Sequence, residues 1–237
     1  MGAVAEVILV GLVIGLPLYN FLANRWPPFN AALFVPMNLT LTALILIVGF
    51  GPLELSRQQI FGDASLRALG YGLILGAAVT LPVFVVSLWR RGVRWVRDER
   101  VADLRGGALA YQVLVRIPLG TALLEEVAFR GVLFAAWRGS GDLQAALASS
   151  IVFGLWHVGP TINAVRANRP DASTSAAIKA IAGAVLFTTL AGLVFSWLRA
   201  EVGLLGPLVM HAVVNGLATI ASVMAARRLQ PTIASRR

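Results

Sequence analysis

Seven apolar runs separated by short polar breaks decide what this 237-residue chain can become. They fall at 4–24, 30–50, 69–89, 108–137, 143–158, 178–198 and 207–226. Most approach or exceed the roughly 18–20 apolar residues that carry a helix across a bilayer. Inside hydrocarbon every backbone N–H and C=O must be bonded within the chain, and a helix does that segment by segment. Only 13% of the residues are charged, about half the share in an ordinary soluble domain. The expected fold is all-α: a polytopic membrane helical bundle of about seven transmembrane helices with a central polar cavity.

The breaks between runs give local expectations. Arg25-Trp26 and Pro27-Pro28 close the first span, and Pro36, Asn38 and Thr40 make the start of the second irregular. Residues 51–68 mix apolar side chains with Glu54, Arg57, Gln58, Gln59, Asp63 and Arg67 and read as an interfacial amphipathic segment. Pro82 is expected to kink the third span. The run 108–137 would extend about 45 Å as one helix, against a hydrocarbon core of about 30 Å. Pro118 and Gly120 are expected to divide it into a short lead-in and a span from about 119 to 137.

Net charge is +9 and almost entirely arginine. Arg90, Arg91, Arg94, Arg97, Arg100 and Arg105 crowd one loop, and the rest cluster at span ends. Such bias orients membrane helices, so nucleic acid is not an expected partner. The N-terminus lacks the basic flank and cleavage site of a secretory signal and reads as a retained first helix. Seven spans with the C-terminus in the cytoplasm leave fourteen Lys/Arg inside, four outside (Arg57, Arg67, Arg138 and Arg199) and two, Arg116 and Arg130, within the membrane, accounting for all 20. Composition suggests a bacterial cell membrane. The chain has no cysteine, which excludes disulfides, thiolate metal sites and a cysteine nucleophile. One membrane domain is expected: N-terminal helices and basic loop over 1–107, a catalytic core over 108–226 and a basic tail over 227–237.

The chemistry gathers where it is most costly. Glu125 and Glu126 are adjacent inside an apolar run. A charge at mid-membrane costs at least about 2.5–3.5 kcal/mol, so such residues face protein or water and serve a function. Glu126 and Arg130 are four apart on one helix face and can pair, while Glu125 lies about 100° round, on the face of Phe129. The only two histidines, His157 and His211, also lie in apolar runs. His157 follows Phe153 by one turn and precedes the helix-ending Gly159-Pro160. His211 and Asn215 share a face one turn apart. A buried carboxylate and imidazole can activate water, and a His/Asn pair can hold a developing oxyanion. Glu125, His157 and His211 are also a ligand set used by catalytic zinc, although the His-Glu-x-x-His signature is absent.

Glu125-Glu126-x-x-x-Arg130, Phe153-x-x-x-His157 and His211-x-x-x-Asn215, in this order, resemble the three motifs of the CPBP family. That family holds CAAX prenyl endopeptidases and bacteriocin-processing or Abi-type intramembrane proteases. The resemblance covers about residues 108–226. It implies an intramembrane endopeptidase acting on a membrane-associated protein or peptide. Glu125 with His157 would activate water, His211 and Asn215 would hold the oxyanion, and Glu126, Arg130, Phe129 and Phe153 would support them. It leaves open a zinc on Glu125, His157 and His211 with Glu126 as base. A non-catalytic scaffold or immunity protein on the same fold is the alternative reading. A small transporter or proton relay is disfavoured because the chain shows no half-to-half repeat.

One difficulty is topological. The fifth and seventh spans run the same way, which puts His157 near the inner end of one and His211 near the outer end of the other. They meet only if a helix starts or stops inside the membrane. Gly159-Pro160 allows the fifth to end early, and Gly203, Gly206 and Pro207 allow the seventh to begin deep.

Overall fold

The computed structural model describes residues 2–27, 32–89 and 91–229, and is helical throughout with no strand among them. Pro28, the first two residues of the second expected span, Arg90 and the tail from 230, with Arg236 and Arg237, lie outside the described residues. The helices are α1 (Ala3–Ala23), α2 (Phe34–Phe50), α3 (Arg57–Phe61), α4 (Leu66–Leu88), α5 (Val93–Val96), α6 (Gly106–Ser140), α7 (Asp142–Trp156), α8 (Val158–Asn168), α9 (Thr174–Val202) and α10 (Leu205–Leu229). Six segments are long and apolar enough to cross a membrane: α1, α3 with α4, α6, α7 with α8, α9 and α10. The apolar α2 adds a shorter seventh of 17 residues. This is a multi-pass membrane protein built as an all-α bundle.

Successive long helices alternate in direction, so the bundle has two ends. Arg25, the loop from 91 to 105, Arg166, Arg169, Lys179, Arg227 and Arg228 gather at the basic end. Hydrogen bonds tie that end together: Asn163 donates to the Asn24 carbonyl, and Arg228 to the carbonyls of Ser87 and Leu88. At the other end, Arg199 donates to the carbonyls of Gln59 and Ile60, and the Leu204 N–H donates to the Phe61 carbonyl. Gly203 closes α9 at φ +82°, where a Cβ would collide with the Asp63 backbone.

Close packing follows small residues. Gly72 and Gly76 of α4 lie against the Gly206 carbonyl and the side chains of Val209 and Val213 on α10. Gly192 of α9 lies against Ser150 and the Arg130 guanidinium. The core beneath is aromatic and aliphatic, with Phe129, Phe134, Phe153, Leu124, Leu133 and Leu198 fully buried.

Residues 51–68 are amphipathic, with Leu55 and Ile60 buried and the polar side chains outward, although only five of them form the helix α3. Ser56 and Gln59 form a reciprocal capping box on the five-residue α3, and Ile60 is fully buried against the bundle. The segment plugs this end of the bundle, held by Arg199. One expectation is corrected: Pro118 and Gly120 do not divide the long run. α6 continues for 35 residues, and its turns over Gln112–Ala122 are π-helical. The wider turn accommodates the missing proline N–H. The buried Asn38 amide of α2 donates to the Gly120 carbonyl at 2.8 Å, and Phe34 packs so near Gly120 that a Cβ there would collide with it.

The expected break before Gly159-Pro160 is present. α7 ends at Trp156, after 15 residues, and the chain turns at His157 into α8. Pro160 has no N–H to give the Trp156 carbonyl four residues back. Asn20 of α1 supplies the missing donor at 2.7 Å. Replacing Asn20 by Ala is expected to lower stability by about 1–3 kcal/mol, the cost of a buried unsatisfied carbonyl, and Pro160→Ala in that background to recover part of it. Thermal unfolding of the three variants in detergent checks both.

Candidate active site

α6 positions the carboxylates. A short α-helical turn, Leu123–Glu125, is followed by a π-helical stretch, Glu126–Leu133. Glu126 and Arg130, four residues apart, pair along the helix. Both carboxylates face the same imidazole. Glu125 is 6% exposed, and Glu126 and Arg130 are wholly buried.

His211, in the second turn of α10, sits between the two carboxylates. Its Nδ1 is 2.8 Å from Glu126 Oε1, and its Nε2 is 3.7 Å from Glu125 Oε2. Arg130 Nη1 reaches the same Glu126 oxygen at 3.4 Å. A guanidinium only donates, so Glu126 is the acceptor and His211 Nδ1–H the donor. The Arg130 charge is otherwise held by rings: its guanidinium lies 4.0 Å from the Phe153 centroid and 5.2 Å from that of Phe195. Phe195 also stacks on His211 at 5.1 Å.

His157, at the turn between α7 and α8, points Nε2 at Glu125 Oε2 from 3.9 Å. Its Nδ1 lies 2.7 Å from the Phe153 carbonyl. A carbonyl only accepts, so Nδ1 carries the proton and the neutral ring has its lone pair on Nε2. Trp156 completes the arrangement. Its indole N–H donates to Glu125 Oε1 at 2.9 Å, while the ring is held between Tyr19 and Phe129. Glu125 is thus pinned by one oxygen, and the other, which has no hydrogen-bond partner among the described residues, faces both histidines.

The structure brings together Glu125, Glu126, Arg130, His157 and His211, with Phe129 and Phe153 in the wall. Asn215 lies one turn beyond His211 and lines the same cavity as Glu125 and His157. This cavity, of about 1060 Å³, extends towards the basic end between Asn20, Asn38, Arg116, Thr121, Asn163 and Ser222. Trp156, Phe195 and Asn20 were not singled out from sequence. Trp156 had only its adjacency to His157 as a signal, and Phe195 had none.

The distances also test the zinc set. Ligands about 2.0–2.1 Å from a tetrahedral zinc are about 3.3 Å from each other. Here the two imidazole nitrogens stand 3.7 and 3.9 Å from Glu125 Oε2, and among the described residues no trio of His, Asp or Glu is placed to hold a metal.

The cavity ends at a locked loop. Asp98 N–H donates to Ser222 Oγ at 2.7 Å, Glu99 N–H to Asn168 Oδ1, and the Asn168 amide to Asp98 Oδ1. Arg100 grips the Asp98 carboxylate at 2.6 Å. Burial pushes the Asp98 pKa up, but the hydrogen bonds and charge of Arg100, with Asn168, outweigh it and hold it below the ordinary 3.8.

A carboxylate and an imidazole converge on one point, with amide and imidazole donors beside them, in a cavity of a membrane helical bundle. Residues 107–217 match the family described as type II CAAX prenyl endopeptidase, Rce1-like. This segment is 111 of the 237 residues, and its similarity supports assignment to the CAAX proteases. No curated protein and no solved structure matches it.

Because the folded-state pKa of Asp98 is depressed, its contribution to stability is present above the unfolded value and lost as pH falls through the folded one. Asp98→Asn is expected to lower the thermal midpoint at pH 7. The difference from wild type should close only below about pH 4, near the unperturbed aspartate value. Unfolding scans across pH in detergent read this directly.

Proposed function

We propose that the protein is an intramembrane endopeptidase that hydrolyses a peptide bond of a membrane-associated protein or peptide. The carrying observation is that Glu125 Oε2 and His157 Nε2 face one another across 3.9 Å, with His211 Nε2 at 3.7 Å and Asn215 on the same cavity. Water lodged between Glu125 and His157 attacks the scissile carbonyl and gives a proton to Glu125. The carbonyl carbon becomes tetrahedral, and its oxygen takes the negative charge. When the C–N bond breaks, Glu125 returns the proton to the leaving amine.

His211 fits the oxyanion role through charge balance. Two ionised carboxylates face one guanidinium, Arg130. An imidazolium at His211 makes the cluster neutral, with Nδ1–H on Glu126 and Nε2–H free to turn from Glu125 to a developing oxyanion. The Asn215 amide supplies a second donor. Trp156 and Glu126 orient the reacting groups without touching substrate.

The cavity reaches the basic end. By the excess of Lys/Arg there, that end is cytoplasmic, and the substrate enters from the cytoplasmic side or laterally from the bilayer. The C-terminus is then cytoplasmic as well. The core spanning 108–226 acts within a single membrane domain.

Glu125→Gln is expected to reduce kcat by about 10²–10⁴-fold, the usual contribution of a general base, with an unchanged thermal midpoint. Cleavage of a membrane peptide library in nanodiscs measures it. Full activity in this variant would overturn Glu125 as the base, whereas no cleavage by the wild-type protein would favour the scaffold reading. Activity is also expected to survive exhaustive chelation, because the donors stand wider than zinc ligands. Stoichiometric zinc in active protein, lost together with activity, would reverse that expectation.

A further inference from the structure

At the end of the bundle opposite the basic loops lies a second concavity, of about 360 Å³. It is formed where α3, α6 and α9 end and α4 begins. Arg67, Arg138 and Arg199 line it, with Asp63 and Glu201. Only four described Lys/Arg belong to this end: these three and Arg57. Topogenic bias selects against basic residues on the side away from the cytoplasm. Three of four gathering in one pocket therefore calls for a partner.

The guanidiniums are unequally satisfied. Arg138 is paired with Asp142 at 2.8 Å. Arg199 is 3% exposed, and its Nη2 donates to the carbonyls of Gln59 and Ile60, but its Nε has no partner among the described residues. No described carboxylate lies within ion-pair distance of Arg199 or Arg67, and Arg67 leans on Tyr71 at 5.4 Å. Asp63 on the same pocket acts on the Arg199 charge only from beyond ion-pair distance, and a buried guanidinium so weakly compensated is costly. Its fork geometry matches a phosphate.

We propose that this pocket binds the phosphodiester headgroup of a phospholipid in the leaflet opposite the catalytic entrance. A lipid is favoured over a free anion because exposed leucines, Leu66 (87%) and Leu143 (67%), stand beside Arg67 and Arg138, where acyl chains would run. Asp63 and Glu201 suit a headgroup that also carries an ammonium, with phosphate on the arginines and amine on the carboxylates. The bound headgroup would brace the plug at Gln58–Asp63 against the end of α9. The site is independent of the catalytic reading.

The test uses the full chain, delipidated in detergent. Titration with dioctanoyl phosphatidylethanolamine, read by native mass spectrometry and thermal unfolding, is expected to show saturable binding and a raised midpoint. Arg67→Gln, an exposed position outside the catalytic site, is expected to weaken it about tenfold, the order of one charge-assisted hydrogen bond. Arg199→Lys, which keeps the charge and loses the fork, should weaken it as well. Dioctanoylglycerol, which lacks the phosphate, should give no shift. The proposal is overturned if dioctanoylglycerol stabilises equally, if Arg67→Gln binds lipid like wild type, or if inorganic phosphate alone reproduces the effect.

Discussion

Everything in this bundle is arranged around four ionisable side chains buried together: Glu125, Glu126, Arg130 and His211. Charges at such depth are tolerable only when they compensate one another. Arg130 and His211 converge on one oxygen of Glu126, and Phe153 and Phe195 cover the remaining guanidinium surface with ring faces. The aromatic wall thus does two jobs. It excludes lipid and competing water from the cluster, and its quadrupoles stabilise a cation that one carboxylate oxygen only partly satisfies.

That cluster dictates irregular backbone around it. The π-helical stretch begins at Glu126, next to the carboxylates that both face the His211 imidazole. A straight α7 would carry His157 past the site, whereas the turn before Pro160 aims its Nε2 at Glu125. Each irregularity frees backbone groups that must find partners at depth. Buried asparagines provide them, Asn20 for the Trp156 carbonyl and Asn38 for that of Gly120. The polar residues of α1 and α2 therefore serve the site at one remove, by paying for its backbone.

The two ends of the bundle divide the labour. The basic end carries the cavity and its Asp98–Arg100–Asn168 lock. The other end is closed by the segment at 51–65, whose short helix is anchored by Arg199 and leaves α9 and α10 joined by a tight turn at Gly203. The cavity reaches one end of the bundle, and the other is braced.

Hydropathy and run length determined the all-α membrane class, the order of the seven apolar helices and the break at Gly159-Pro160, because those follow from the cost of unbonded backbone in lipid. The spacing of polar residues determined the Glu126–Arg130 pair and singled out Glu125, His157, His211 and Asn215, since intramembrane polar groups are too costly to be incidental. Spacing along a helix carries no information about which helices adjoin. Tertiary structure alone decided that Trp156 pins Glu125, that Phe195 covers His211, that Pro118 is absorbed by a π-helical turn and that residues 51–65 form a plug. Each depends on a side chain reaching across from another helix, and such contacts are set by packing of small residues and rings in three dimensions.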